Sequence, residues 1–83
     1  MSRAKNEKRY DIGHFLRGIR ERRGLTQREV AEATGWDKAH VCRLERGIHM
    51  PGLGVLDRYA KGVGVDPKVV SEWCLGAIAG MQP

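Results

Sequence analysis

Three residues near the middle of this 83-residue chain, Lys38, Ala39 and Arg43, have the types and spacing of a surface that touches the edges of stacked bases. Arginine can donate two parallel hydrogen bonds to the O6 and N7 of guanine, lysine supplies a point charge to the same atoms, and an alanine methyl can meet the methyl of thymine. On a helix these three share a side with Cys42 and Arg46, while Val41, Leu44 and Ile48 recur at helical spacing on the other. The expectation is a helix over 38–46 with an inward apolar stripe and an outward basic face, on which Arg43 is the first candidate base contact and Lys38 the second.

Phosphates need donors that carry no base information. The Thr26 hydroxyl, the Gln27 side chain and the N–H groups of the helix start around them meet that need, helped by the helix dipole. Arg28, His40, Arg46 and His49 flank the same surface, although His49 also reads as an ordinary loop residue. Competing chemistry is poorly supported. His40, Cys42, His49 and Cys74 fit no zinc-ligand spacing, and no glycine-rich phosphate loop follows a strand. No metal, cofactor or catalytic residue is expected, and the chain does not read as an enzyme. Cys42, set among Lys38, His40, Arg43 and Arg46, is a candidate thiol switch against the plainer reading of a small neutral residue.

A reading helix has to be held by others. Val30 and Ala31 face inward on a preceding helix near 27–34, and a residue as small as Ala31 allows close approach. Gly35 turns the chain, since glycine alone enters positive φ without steric cost. Asp37 caps the reading helix, and Thr26 with Glu29 forms a Thr-x-x-Glu capping box. Upstream, Asp11 is placed to cap a helix carrying Ile12, Phe15, Leu16 and Ile19 inward, which Gly24 ends. Gly47 closes the reading helix, and Pro51 with Gly52 opens a fourth whose Leu53, Leu56, Tyr59, Ala60 and Val63 return to the core. A last helix, about 67–80, opens at Pro67 behind Asp66. Its stripe of Val70, Trp73, Cys74, Ala77, Ile78 and Met81 outruns what a domain this small needs, which makes Trp73, Ile78 and Met81 the candidate homodimer interface.

These elements make an all-α, compact five-helix bundle: one domain over 10–83, with the two-helix motif at 27–46, behind a basic arm at 1–9. Arg3, Lys5, Lys8 and Arg9 of the arm either lie along phosphates or a minor groove, or form a disordered terminus. The net charge of +5 is concentrated: residues 1–50 hold 12 Lys and Arg against 7 Asp and Glu, and residues 51–83 hold 3 against 3. A basic half carrying an exposed helix is the footprint of a polyanion partner. No run of ~20 apolar residues or signal segment is present, so a cytoplasmic protein with no membrane partner and two free thiols, Cys42 and Cys74, is expected.

From Ile12 to Val70 the chain resembles the Cro and phage-repressor helix-turn-helix family. The matching residues are Leu25-Thr26-Gln27, Val30-Ala31, Gly35, Val41, Leu44-Glu45-Arg46-Gly47, Pro51, Leu56, Tyr59-Ala60 and Val63-Gly64-Val65, in that order and spacing. The resemblance implies a lambda-repressor-like domain, an architectural ion pair between Arg20 and Glu45, and Gln27 as the stronger phosphate contact. It further implies a sequence-specific transcriptional regulator of bacterial, phage or plasmid type that binds a palindromic double-stranded DNA operator as a homodimer, with RNA polymerase or a toxin as further partners. Controller proteins of restriction-modification systems, small phage repressors and plasmid regulators share this size and layout. The competing expectation is an antitoxin or other protein-interaction module. Thr34 replaces the usual apolar residue, Trp36 is bulkier than usual, and Gly52, Gly54 and Gly62 weaken the fourth helix, each glycine in a helix interior costing ~1 kcal/mol.

Overall fold

The computed structural model describes residues 4–48 and 51–80, with side chains from 12–48 and 51–74. Five helices follow in order: α1 (Ala4–Arg22), α2 (Gln27–Thr34), α3 (Lys38–Glu45), α4 (Leu53–Val63) and α5 (Pro67–Gly80), with no strand among the described residues. The local signals act as expected at most ends. Thr26 Oγ1 accepts from the Glu29 N–H at 3.1 Å while its own N–H donates to Glu29 Oε1 at 2.8 Å. Asp37 accepts from the His40 N–H at 2.8 Å, and Asp66 from the Lys68 N–H at 2.9 Å. Gly35 adopts φ +80° after α2, as the tight turn into α3 requires.

The helices close around one core. Ile12, Leu16, Val30, Val41, Leu56, Tyr59, Val63, Val70 and Cys74 are buried, and Phe15, Leu25, Trp36, Val55 and Val65 pack against them. α1 lies on α3 and α5, α2 on α3 and α4, and α4 on α5. Two of these approaches are backbone-close. A Cβ on Gly13 would stand 2.6 Å from the Glu45 carbonyl oxygen, and one on Gly62 would stand 2.5 Å from Thr34 Cγ2. Gly62, a liability for α4 considered alone, is what lets α4 meet α2. Thr34 fits the core because its hydroxyl donates to the Val30 carbonyl at 2.8 Å, leaving the methyl to face Gly62.

Three expectations are corrected. α1 begins at Ala4, so Asp11 lies inside the helix and is no cap; residues 4–10 contain no glycine or proline to stop it, and Ala, Lys, Glu and Arg favour helix. Ile48 is exposed, at 37%, because α3 ends at Glu45 and Gly47 at φ +72° breaks the helical spacing before residue 48 is reached. Leu53 is 69% exposed: as the first residue of α4 it sits at the rim of the apolar arc that Leu56, Tyr59, Ala60 and Val63 bury.

Candidate nucleic-acid interface

The reading face is open. Lys38, Ala39, Arg43 and Arg46 are exposed along α3 and its cap, while Val41, Leu44 and Glu45 are buried behind them. Between α1 and the first turns of α2 and α3 lies a depression of about 700 Å³ lined by Arg17, Arg20, Thr26, Gln27, Arg28, Lys38, Cys42 and Arg46, with Leu25 at its side. Five cations and no acid line it, so it presents a positive surface whose walls include the start of α2. Thr26, Gln27, Arg28, Lys38, Cys42 and Arg46, singled out in sequence, are thus brought together. Arg17 joins them.

Behind this surface a single carboxylate fixes the reading helix. Arg20 Nε donates to Glu45 Oε2 at 2.7 Å and Arg20 Nη2 to Oε1 at 3.0 Å, a bidentate pair in which both residues are buried. Arg20 Nη1 also donates to the Leu25 carbonyl at 2.8 Å. Gln27 Nε2 donates to Glu45 Oε1 at 3.1 Å, and the Tyr59 hydroxyl donates to Oε2 at 2.6 Å, with the Leu16 carbonyl 2.9 Å away. Glu45, the last residue of α3, is therefore held from α1, α2 and α4 together. Burial raises its carboxyl pKa, but the hydrogen bonds from Arg20, Tyr59 and Gln27 outweigh burial and leave it below the ordinary value. The hydrogen bond to Glu45 raises Arg20, and burial followed by the hydrogen bond to the same carboxylate pushes the Tyr59 hydroxyl far above its usual range.

Sequence reasoning placed Tyr59 only in the core. The signal for its second role was present: a fully buried tyrosine hydroxyl needs a partner, and a buried carboxylate has more lone pairs than one arginine fills. Gln27 is half-buried, with one amide N–H turned to Glu45, and lines the depression at the same time. His40 is drawn inward: its ring lies against Trp36 with centroids 4.7 Å apart, and its Nε2 is buried with no hydrogen-bond partner among the described residues. On the far flank of α1, Phe15 meets Trp73 edge to face at 5.1 Å, and Trp73 remains 44% exposed. His49, Met81 and the Ile78 side chain lie outside the described residues, as do the side chains of the 1–9 segment. No group of three or more His, Cys, Asp or Glu among the described residues could hold a metal.

A family model described as a helix-turn-helix domain matches residues 11–73. A Mycobacterium tuberculosis protein named an uncharacterized HTH-type transcriptional regulator is 35% identical over 58 residues, which cover 70% of this chain and 41% of that protein. Another so named, from Sinorhizobium fredii, is 35% identical over 67 residues, covering 81% and 34%. The chain thus spans less than half the length of these relatives. Among solved structures, the clp gene regulator ClgR from C. glutamicum superposes with a TM-score of 0.73 at 28% identity, over 84% of this chain and 91% of that one. The restriction-modification controller protein C.AhdI from Aeromonas hydrophila superposes with a TM-score of 0.70 at 24% identity, over 84% and 99%, a likeness of fold.

Proposed function

The chain belongs to the helix-turn-helix domain family, and from that premise and the geometry of α3 we propose that it is a sequence-specific, double-stranded DNA-binding regulator of transcription, of bacterial, phage or plasmid type. The observation that carries this reading is the division of α3 into two faces. Lys38, Ala39 and Arg43 are exposed together, while Glu45 on the same helix is locked to three neighbouring helices, so the outward face is held in fixed orientation. α3 enters a major groove, Arg43 and Lys38 donate to base edges, and Ala39 rests on a thymine methyl. Thr26, Gln27, Arg28 and Arg46 hold the flanking phosphates. The Thr26 hydroxyl accepts within its own cap, which leaves its proton for a phosphate oxygen.

One such helix reads few base pairs, so the regulator acts as a homodimer on a palindromic operator, with Trp73, Ile78 and Met81 of the α5 region at the contact. The role is that of a cytoplasmic binding protein rather than an enzyme; no helix among the described residues is long and apolar enough to cross a membrane. Selection of bound sequences from random duplexes tests this. The expected outcome is a palindromic consensus whose half-sites lie ~34 to 36 Å apart, about one helical turn. Salt-sensitive binding with no preferred sequence would overturn it.

A further inference from the structure

The cations lining the depression differ in how they are engaged. Arg28, Lys38 and Arg46 are exposed and make no ion pair among the described residues, and Arg20 is committed to buried Glu45. Arg17 is in a third condition. Its Nε donates to Glu21 Oε2 at 3.1 Å, one turn along α1, and the two side chains are 55% and 53% exposed. It is the lining cation whose charge is met by an acid that solvent also reaches.

We propose that Arg17 is a phosphate-binding residue contributed by α1, outside the two-helix motif, and that Glu21 is its built-in competitor. The proposal rests on the DNA-binding reading above. A guanidinium fork fits carboxylate and phosphate alike, so one anion can replace the other without moving the helix. An exposed pair four residues apart on a helix is weak, which makes Glu21 displaceable by a polyanion. Arg17 shares the depression with Gln27, Arg28 and Lys38, so a strand held by the start of α2 passes within reach of it. Arg22, on the opposite flank of α1, lines the separate grooves beside Phe15 and provides an internal comparison of equal charge. Because the contact is to phosphate, it adds affinity on every sequence and no preference. Glu21 keeps the free guanidinium extended along α1 and sets an energetic toll on non-specific and specific binding alike.

The test is a salt titration of the wild type, Arg17→Ala, Arg22→Ala, Glu21→Gln and the Arg17→Ala/Glu21→Gln double variant on two duplexes, one bearing the selected consensus and one unrelated. Arg17→Ala should weaken both duplexes by the same factor and flatten the slope of log K against log salt by ~0.9, one phosphate contact. Arg22→Ala should leave that slope unchanged. Glu21→Gln should tighten binding about twofold, the worth of an exposed i,i+4 pair, and that gain should vanish in the Arg17→Ala background. A wild-type slope in Arg17→Ala, or an equal gain from Glu21→Gln with and without Arg17, would overturn the proposal while leaving the DNA-binding reading intact. A wild type that binds neither duplex would overturn both.

Discussion

Arg43 and Gln27 sit on the same side of the molecule with different expected work. Arg43 is exposed on α3 and makes no ion pair among the described residues, so Arg43→Ala should cost ~1 to 3 kcal/mol on the consensus duplex and relax preference at one base pair per half-site. Competition binding against single-base variants of the consensus measures this, and a uniform loss on every duplex would move Arg43 to the phosphates. Gln27→Ala should weaken all duplexes alike, and it also withdraws one donor from Glu45. The Glu45 cluster gives a pH signature at each end. Its carboxyl is lowered on folding, so it contributes stability that is present above the ordinary carboxyl range and lost as the pH falls through the lower folded value. The Tyr59 hydroxyl is raised on folding, so its contribution is whole below the unfolded value of 10.0 and declines as the pH climbs beyond it. Urea unfolding across pH should therefore show an alkaline decline to which the burial-raised Cys74 thiol contributes first and Tyr59 from about 10.0 onward; Tyr59→Phe should make it shallower, at a cost of about 1.5 to 3 kcal/mol at neutral pH for the donor withdrawn from a charged acceptor. An alkaline decline unchanged in Tyr59→Phe would contradict the assignment. Arg20 and Glu45 were legible as a pair through family resemblance. For Tyr59 only the need for a partner was legible, not which residue supplies it, because a hydroxyl that joins residues 14 apart along the chain leaves no periodic trace.

At the scale of helices, the signals that depend on near neighbours in sequence were readable: the capping box at Thr26, Asp37 before α3, Gly35 between α2 and α3, and Asp66 before α5. What failed depended on where helices stop or on which helix lies opposite. Ile48 kept helical spacing only until Gly47 turned the chain, and α1 ran back to Ala4 because no residue there interrupts it. Glycine substitutions separate these two kinds of information. Gly54→Ala, where an added Cβ meets nothing within 4 Å, should stabilise by about 0.5 to 1 kcal/mol through helix propensity. Gly62→Ala and Gly13→Ala should destabilise by about 1 to 3 kcal/mol despite the same gain in propensity, since the Cβ would strike the buried, hydrogen-bonded Thr34 or the backbone of Glu45. Thermal unfolding of the three variants decides, and a stabilised Gly13→Ala would mean that α1 can shift away from α3 freely.

For the molecule as a whole, assembly is the open quantity that the sequence pattern of α5 raises. Trp73 keeps 44% of its surface exposed while its edge contact with Phe15 ties it to α1, so Trp73→Ala should lower both the unfolding midpoint and the dimerisation constant. Sedimentation velocity of the wild type should show a concentration-dependent dimer, and a species that remains monomeric at high concentration, both free and on the consensus duplex, would refute the shared interface. The Glu45 carboxylate bears on the molecule's motions as well as its shape. α3 is 8 residues long, too short to persist as an isolated helix in water, yet donors from α1, α2 and α4 converge on its last residue. Its last turn is therefore held from fraying alone. The hydrogen-bonded backbone amides of α3 from Val41 to Glu45 should exchange with solvent deuterium only when the whole domain opens, at the rate of the core of α4 rather than that of a surface helix. A reading helix already ordered before it meets DNA contributes no coupled folding, so the binding heat capacity should match the surface the two rigid bodies bury and no more.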